Sequence, residues 1–123
     1  MARVLVVDDD PVILQLISLN LELEGHEILS AASGIEALTA ARTERPQVMV
    51  LDVMLPGMDG FEVCRTLSQD PETADIPILL LSARALRSDV QRGLDAGAVE
   101  YVTKPFDPLD LVAMIERLAR TDD

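Results

Sequence analysis

The hydrophobic positions of this chain follow two periodicities that alternate along its length. Five short, nearly continuous apolar runs are typical of strands buried on both faces of a parallel sheet. Between these runs, apolar residues recur every three or four positions, which predicts helices. The predicted strands cover residues 3–8, 26–31, 47–52, 76–82 and 99–103. Because crossover helices must cover both faces of such a sheet, the pattern predicts an α/β fold, a (βα)5 three-layer α/β/α sandwich.

Capping signals support the first two helices and the last. Asp10 and Pro11 suit the start of the first helix, and Gly25 ends it. Its predicted apolar stripe consists of Val12, Ile13, Leu16, Ile17, Leu19 and Leu23. The second helix has a capping box at Ser33 and Glu36. Asp107 and Pro108 begin the last helix, whose predicted buried face is Leu111, Val112, Ile115 and Leu118.

The two middle helices have weaker signals. The third is predicted from about residue 60 to residue 69, before the break at Asp70 and Pro71. The fourth carries Leu86, Val90 and Leu94 and ends near Gly97. Pro77 is placed at the start of the fourth strand, where a missing N–H is tolerable.

Composition narrows the class of protein. The chain has 123 residues, enough for one compact domain, and 49 % of them are hydrophobic. Its formal charge of −12 opposes direct binding to nucleic acid or to an anionic membrane. No apolar run approaches the length of a membrane span, and the acidic start does not resemble a secretion signal, so the expected compartment is the cytoplasm. The single cysteine, Cys64, is expected to be a reduced structural thiol.

Four of the five predicted strands end in polar side chains. Asp8 and Asp9 follow the first strand, while Asp52, Ser82 and Lys104 lie at the ends of the third, fourth and fifth. Because ligands of parallel α/β sheets bind at the carboxyl ends of the strands, these residues predict one site. Three carboxylates, a hydroxyl and an ammonium suit Mg²⁺ and a phosphoryl group. In this reading Asp52 is the nucleophile that forms an acyl phosphate, and Lys104 and Ser82 contact the phosphoryl oxygens.

Four sequence segments, VVDDDP, LDVMLPGMDG, LLLSA and YVTKPF, resemble the motifs of response regulator receiver domains of two-component signalling, the CheY-like superfamily. The resemblance covers residues 1–120 as one receiver domain and leaves 121–123 as a C-terminal tail. It implies a flavodoxin-like fold with strand order 2-1-3-4-5, which the hydrophobic pattern alone does not give. It also implies a signalling domain rather than an enzyme, with only self-phosphorylation and self-dephosphorylation activity.

The resemblance assigns roles to individual residues. Asp52 would accept a phosphoryl group from the phosphohistidine of a sensor histidine kinase. Asp8, Asp9, Asp52 and the backbone carbonyl of Met54 would bind Mg²⁺. Ser82 would be the switch hydroxyl, Tyr101 the aromatic residue that changes rotamer with it, and Lys104 the phosphate-binding lysine. The peptide bond between Lys104 and Pro105 is usually cis in this family, and Met54 and Arg84 are expected to affect the lifetime of the phosphorylated state.

The resemblance also bears on partners. A downstream effector or phosphotransfer protein would recognise the face built from the fourth and fifth helices. Receivers that pair through this face typically have charged residues where this chain has Val99 and Met114, so that dimer is less expected here. Glu100, Arg92 and Arg117 still leave open a homodimer formed on phosphorylation.

Competing interpretations give other roles to the same residues. Asp8, Asp10 and Val12 match a motif of haloacid-dehalogenase-like phosphatases, in which Asp8 would be the nucleophile and Asp10 the acid/base. That reading leaves Asp52 without a function. A phosphate-independent interaction module would lack one of the acids or the lysine, and neither is missing here. His26, at the start of the second strand, is expected to be structural and distant from the site.

Overall fold

The computed structural model describes residues 1–120 and confirms the α/β/α sandwich. Five strands and five helices alternate along the chain. The strands are β1 (Arg3–Val7), β2 (Glu27–Ala31), β3 (Val48–Asp52), β4 (Ile78–Ser82) and β5 (Glu100–Thr103). The helices are α1 (Pro11–Leu23), α2 (Gly34–Glu44), α3 (Gly60–Gln69), α4 (Arg87–Asp95) and α5 (Pro108–Arg120). The proposed tail, residues 121–123, lies outside the described residues.

All adjacent strands pair in parallel, and their order is β2-β1-β3-β4-β5, as the resemblance implies. Successive side chains of a strand point to opposite faces, which divides the core into two layers. Leu5 and Val7 of β1 pack with α2 and α3, whereas Val4 and Val6 pack with α1 and α5. Both faces of the sheet are therefore buried, in agreement with the nearly continuous apolar runs.

Strand ends differ from the predicted ranges by one or two residues. The pairing of β3 with β4 begins at Met49 and Ile78, so Pro77 lies just before β4 rather than within it. Asp8 likewise follows β1 instead of belonging to it. Since these residues lie where the ladder stops, the differences leave the site at the same edge of the sheet.

The apolar stripe predicted for α1 divides between core and solvent. Ile17 is buried, and so is Leu21, which the prediction omitted. The side chains of Val12, Leu16, Leu19 and Leu23 are instead between 38 % and 76 % exposed. The helix itself begins as predicted, because the Asp10 carboxylate accepts the Val12 N–H at 2.9 Å.

The fourth helix differs more from its prediction. Leu86 precedes α4 as its N-cap residue, is largely exposed and makes no side-chain cap. Leu94 is also exposed, and the buried residue of α4 is Gly93. This helix therefore packs through a glycine rather than through the leucines that the sequence pattern suggested.

Two residues predicted to be structural are buried or bonded in ways that agree with that role. His26 lies at the opposite end of the sheet from the site, where its Nδ1 accepts the Ala2 N–H and its Nε2 lies 2.8 Å from Glu116 Oε2. Cys64 is a free, buried thiol, and burial raises its pKa to about 11. None of the helices within residues 1–120 has the length and apolar character to cross a membrane.

Candidate functional site

The parallel sheet brings the polar strand ends to one edge. Asp52 and Ser82 are the last residues of β3 and β4, Asp8 follows β1 directly, and Lys104 follows β5. These strands are neighbours in the order β1-β3-β4-β5, so their carboxyl ends lie side by side. Asp9, the second residue after β1, adds a further carboxylate to these strand-end residues. The expectation that these strand ends meet at one edge of the sheet is therefore met.

Three carboxylates form the centre of the site. Single oxygen atoms of Asp8, Asp9 and Asp52 all lie within 4.8 Å of one another. Asp8 and Asp52 are buried, whereas Asp9 is exposed at the mouth. Backbone N–H groups orient the buried pair: Asp10 donates to Asp8 Oδ1 at 2.9 Å, and Met54 donates to Asp52 Oδ1 at 3.2 Å. The other oxygen of each carboxylate, Oδ2, faces Lys104.

Lys104 supplies the one ammonium in this cluster. Its Nζ lies 3.3 Å from Asp8 Oδ2 and 3.5 Å from Asp52 Oδ2. Its backbone N–H also donates to the Ser82 carbonyl at 2.8 Å, which ties the end of β5 to the end of β4. The peptide bond to Pro105 is cis, as the resemblance implies.

The charge of the cluster favours a divalent cation. Three carboxylates and one ammonium sum to −2 when all are ionised. Burial and the negative charge of Asp8 raise the pKa of Asp52 from its ordinary 3.8 to about 6, although the Met54 N–H and Lys104 oppose the shift. A hard dication with oxygen ligands would offset the residual charge, and carboxylate oxygens are the ligands that Mg²⁺ prefers. The donor set therefore fits the predicted metal.

The loop after Asp52 is held close to the strand end by a glycine. The Gly60 N–H donates to the Val53 carbonyl at 2.8 Å. A Cβ built at Gly60 would lie 2.6 Å from Val53 Cα, so any larger residue would displace the backbone next to Asp52. Asp59 caps α3 through a 2.9 Å bond from the Glu62 N–H. The sequence does not reveal this close approach of Gly60 to the end of β3.

Ser82 and Tyr101 are connected through the backbone of Arg84. The Arg84 N–H donates to Ser82 Oγ at 3.0 Å, and the Tyr101 hydroxyl donates to the Arg84 carbonyl at 2.8 Å. Ser82 is fully buried, and Tyr101 is half-buried against the core. The Arg84 side chain points to Asp89, with 3.7 Å between Nε and Oδ1. Sequence signals do not reveal backbone bonds of this kind.

Comparisons with known proteins agree with this geometry. A family model described as the response regulator receiver domain matches residues 4–116. The chain is 44 % identical over 123 residues to the DNA-binding dual master transcriptional regulator RpaA of Synechocystis, covering all of this chain and 51 % of that protein. It is 45 % identical over 122 residues to the DNA-binding response regulator MtrA of Mycolicibacterium smegmatis, covering 98 % and 52 %. The chain thus spans about half the length of these curated relatives.

Solved structures give the same result for the fold. The Francisella response regulator 1452 receiver domain superimposes with a TM-score of 0.94 at 32 % identity, over the full length of both chains. The chemotaxis response regulator CheY4 of Vibrio cholerae superimposes with a TM-score of 0.89 at 36 % identity, covering 96 % of this chain and 98 % of that one. None of these similarities supports the haloacid-dehalogenase-like alternative.

Proposed function

This chain belongs to the response regulator receiver domain family, and on that premise we propose that Asp52 is its phosphoacceptor and that Mg²⁺ assists the transfer. It is a signalling domain of two-component systems. The observation that carries the proposal is the meeting of Asp8, Asp9 and Asp52 oxygens within 4.8 Å, with the Lys104 ammonium beside the two buried ones.

The proposed reaction moves a phosphoryl group from a histidine to an aspartate. A carboxylate oxygen of Asp52 attacks the phosphorus, the P–N bond of the donor phosphohistidine breaks, and the imidazole leaves with the electron pair. Lys104 Nζ then pairs with one phosphoryl oxygen, and the Ser82 hydroxyl donates to another. In self-dephosphorylation, water would attack the same phosphorus, the bond between phosphorus and the Asp52 oxygen would break, and inorganic phosphate would leave the free carboxylate behind.

Receiver domains generally bind Mg²⁺ at an acidic pocket, and here Asp8, Asp9 and Asp52, with the Met54 carbonyl, are the proposed ligands. The metal would neutralise charge on the transferring phosphoryl oxygens. Asp8 and Asp52 would hold it from the buried side, and Asp9 from the exposed side.

The function is tested by locating the phosphorylated residue. The protein is incubated with acetyl phosphate and Mg²⁺, reduced with borohydride to trap acyl phosphates, digested and mapped by mass spectrometry. We expect a single modification at Asp52 that disappears when EDTA replaces Mg²⁺. Modification at Asp8 would instead favour the phosphatase interpretation, and no modification would contradict the proposal.

The metal ligands are tested with Asp9→Asn. This substitution removes one exposed carboxylate, so we expect Mg²⁺ affinity to fall by about tenfold, because ligand charge and number set the affinity. The melting temperature in EDTA should rise slightly as carboxylate repulsion falls, while the gain on adding Mg²⁺ shrinks. Asp10→Asn is the control, since Asn also caps a helix and Asp10 is not a proposed ligand. An equal response to Mg²⁺ in both variants would exclude Asp9 as a ligand.

Response regulators partner with sensor histidine kinases, and we propose that α1 carries the docking surface. Val12, Leu16, Leu19 and Leu23 have spacings of four, three and four residues and leave an apolar seam exposed. The seam starts two residues after Asp10, beside the site. Exposed acidic residues lie at both ends of α1, namely Asp9, Asp10, Glu22 and Glu24, and residues 4–41 contain no Lys or Arg. A second copy would meet like charge there, so the surface favours a partner helix with an apolar seam and basic flanks.

Docking is tested by comparing two phosphate donors. Leu16→Gln combined with Leu19→Gln should slow transfer from phosphorylated histidine kinases by about tenfold, as expected for loss of apolar interface anchors. Transfer from acetyl phosphate should be unchanged, because that donor needs no protein surface. Gln15→Ala on the same helix serves as the control. Equal slowing with both donors would indicate damage to the site rather than lost docking.

The compartment and the readers of the signal are proposals as well. The proposed kinase partner favours the cytoplasm as the compartment. A downstream effector, a phosphotransfer protein or a second phosphorylated copy would recognise the face formed by α4, β5 and α5.

A further inference from the structure

Gly93 lies where α4 packs against the sheet, and its missing side chain leaves space for an aromatic ring. A Cβ built at Gly93 would lie 2.8 Å from Cδ2 and 3.2 Å from Cε2 of Tyr101, and 2.9 Å from Cδ1 of Leu80. Separations below 3 Å are too short for carbon atoms. Leu80 is completely buried in the core, whereas Tyr101 is only partly buried at the edge strand. An added methyl group would therefore displace the tyrosine ring more easily than the leucine.

The position of this ring matters because the Tyr101 hydroxyl anchors the loop before α4. It donates to the Arg84 carbonyl at 2.8 Å, across seventeen residues of sequence. The N–H of the same Arg84 donates to Ser82 Oγ at 3.0 Å. The contact at Gly93 is thus linked to the hydroxyl at the edge of the site by two hydrogen bonds through one residue.

We propose that Gly93 is a positioning residue: by leaving room for the inward Tyr101 ring, it sets how the Arg84 backbone holds the Ser82 hydroxyl at the end of β4. Alanine at this position turns the ring outward, breaks its bond to Arg84 and frees the loop. The effect on Tyr101 is independent of phosphorylation. Only the effect at Asp52 rests on the proposed function.

A purely structural role for Gly93 predicts something different. Alanine favours helix over glycine, so a change in thermal stability would not test the proposal. The position of Tyr101 does test it, and this chain allows a direct measurement because it has one tyrosine and no tryptophan. Intrinsic tyrosine fluorescence therefore reports Tyr101 alone.

The first experiment measures acrylamide quenching of that fluorescence in the full chain. In Gly93→Ala we expect the quenching constant to rise by about twofold as the ring moves to another staggered χ1 rotamer. Ser88→Ala, an exposed change on the same helix that does not touch Tyr101, should leave the constant unchanged. If Gly93→Ala also leaves the quenching constant unchanged, the added methyl group has displaced Leu80 instead of Tyr101, and the proposal is overturned.

The second experiment measures binding of beryllofluoride, a phosphoryl analogue, by calorimetry in the presence of Mg²⁺. Gly93→Ala should weaken binding by about fivefold, within the usual range for coupling between sites. In a Tyr101→Ala background, where no ring opposes the added methyl group, Gly93→Ala should have no further effect. An equal loss in both backgrounds would show that Gly93 acts without Tyr101 and would overturn the proposal. Failure of the unsubstituted protein to bind beryllofluoride would count against the function at Asp52, and the quenching result would still decide the role of Gly93.

Discussion

Asp52→Asn is expected to abolish phosphoryl uptake and, in metal-free buffer at pH 8, to stabilise the fold by about 3 kcal/mol. Asparagine has nearly the same shape and can still accept the Met54 N–H through its side-chain oxygen. It lacks the anionic oxygen that would attack phosphorus. It also removes a buried negative charge that lies close to Asp8. Function and stability should thus change in opposite directions.

The size and sign of the stability change follow from the Asp52 pKa. In the folded protein this pKa is raised from 3.8 to about 6. Below pH 3.8 the group is protonated in both states and makes no difference. Between pH 4 and 6 the folded state binds more protons than the unfolded state, so this group lowers stability as pH rises. Above pH 6 the loss is complete, and a shift of about two pKa units corresponds to about 3 kcal/mol.

The measurement is denaturant unfolding in EDTA from pH 4 to pH 8, with the two proteins compared at each pH. Their difference in unfolding free energy should grow between pH 4 and 6 and then level off. Asp10→Asn is the matched control: it keeps the cap of α1 and should keep both phosphorylation and the original pH profile. A pH-independent difference, or phosphorylation that survives in Asp52→Asn, would contradict the assignment of Asp52.

The general fold could be predicted because its determinants are local. Continuous apolar runs in β1, β3 and β4 are buried on both faces, and period-two alternation within β1 divides its side chains between the two core layers. The strand-end residues Asp52, Ser82 and Lys104 could be grouped because parallel strands end at one edge. These inferences need only periodicity and strand direction.

Features that depend on packing between distant residues could not be predicted in this way. The α1 stripe looked uniform in sequence, but the packing of the helix against β1, β2 and α5 buries Ile17 and Leu21 and leaves Leu19 exposed. The sequence pattern also does not show that Gly93 lies against Tyr101, a contact that is visible only in the folded structure. The packing of α1 and the approach of Gly93 to Tyr101 both depend on residues that are far apart in the sequence, so no local pattern reveals them.

Lys104→Met is expected to lower the unfolding free energy at pH 8 without metal by about 2 to 3 kcal/mol, because it leaves two buried carboxylates without their cation. The lower end of this range allows for screening by solvent, because the Lys104 side chain is 22 % exposed. Lys104 also holds down the pKa of Asp52, so that pKa should rise further in the variant. The rate of phosphorylation by acetyl phosphate should fall by about 100-fold, as for loss of one charge-stabilising group in a site.

Lys104→Arg separates the effect on stability from the effect on phosphorylation. The guanidinium keeps the positive charge near Asp8 and Asp52, so most of the stability should return. Its larger planar fork holds its donors in a different geometry from a compact ammonium that pairs with one phosphoryl oxygen, so phosphorylation should stay slow. Added Mg²⁺ should raise the melting temperature of Lys104→Met more than that of the unsubstituted protein, because the cation replaces charge that the variant lacks. If Lys104→Met matched the original protein in metal-free stability, the ammonium would not be neutralising the carboxylate cluster, and its place in the site would have to be reassigned.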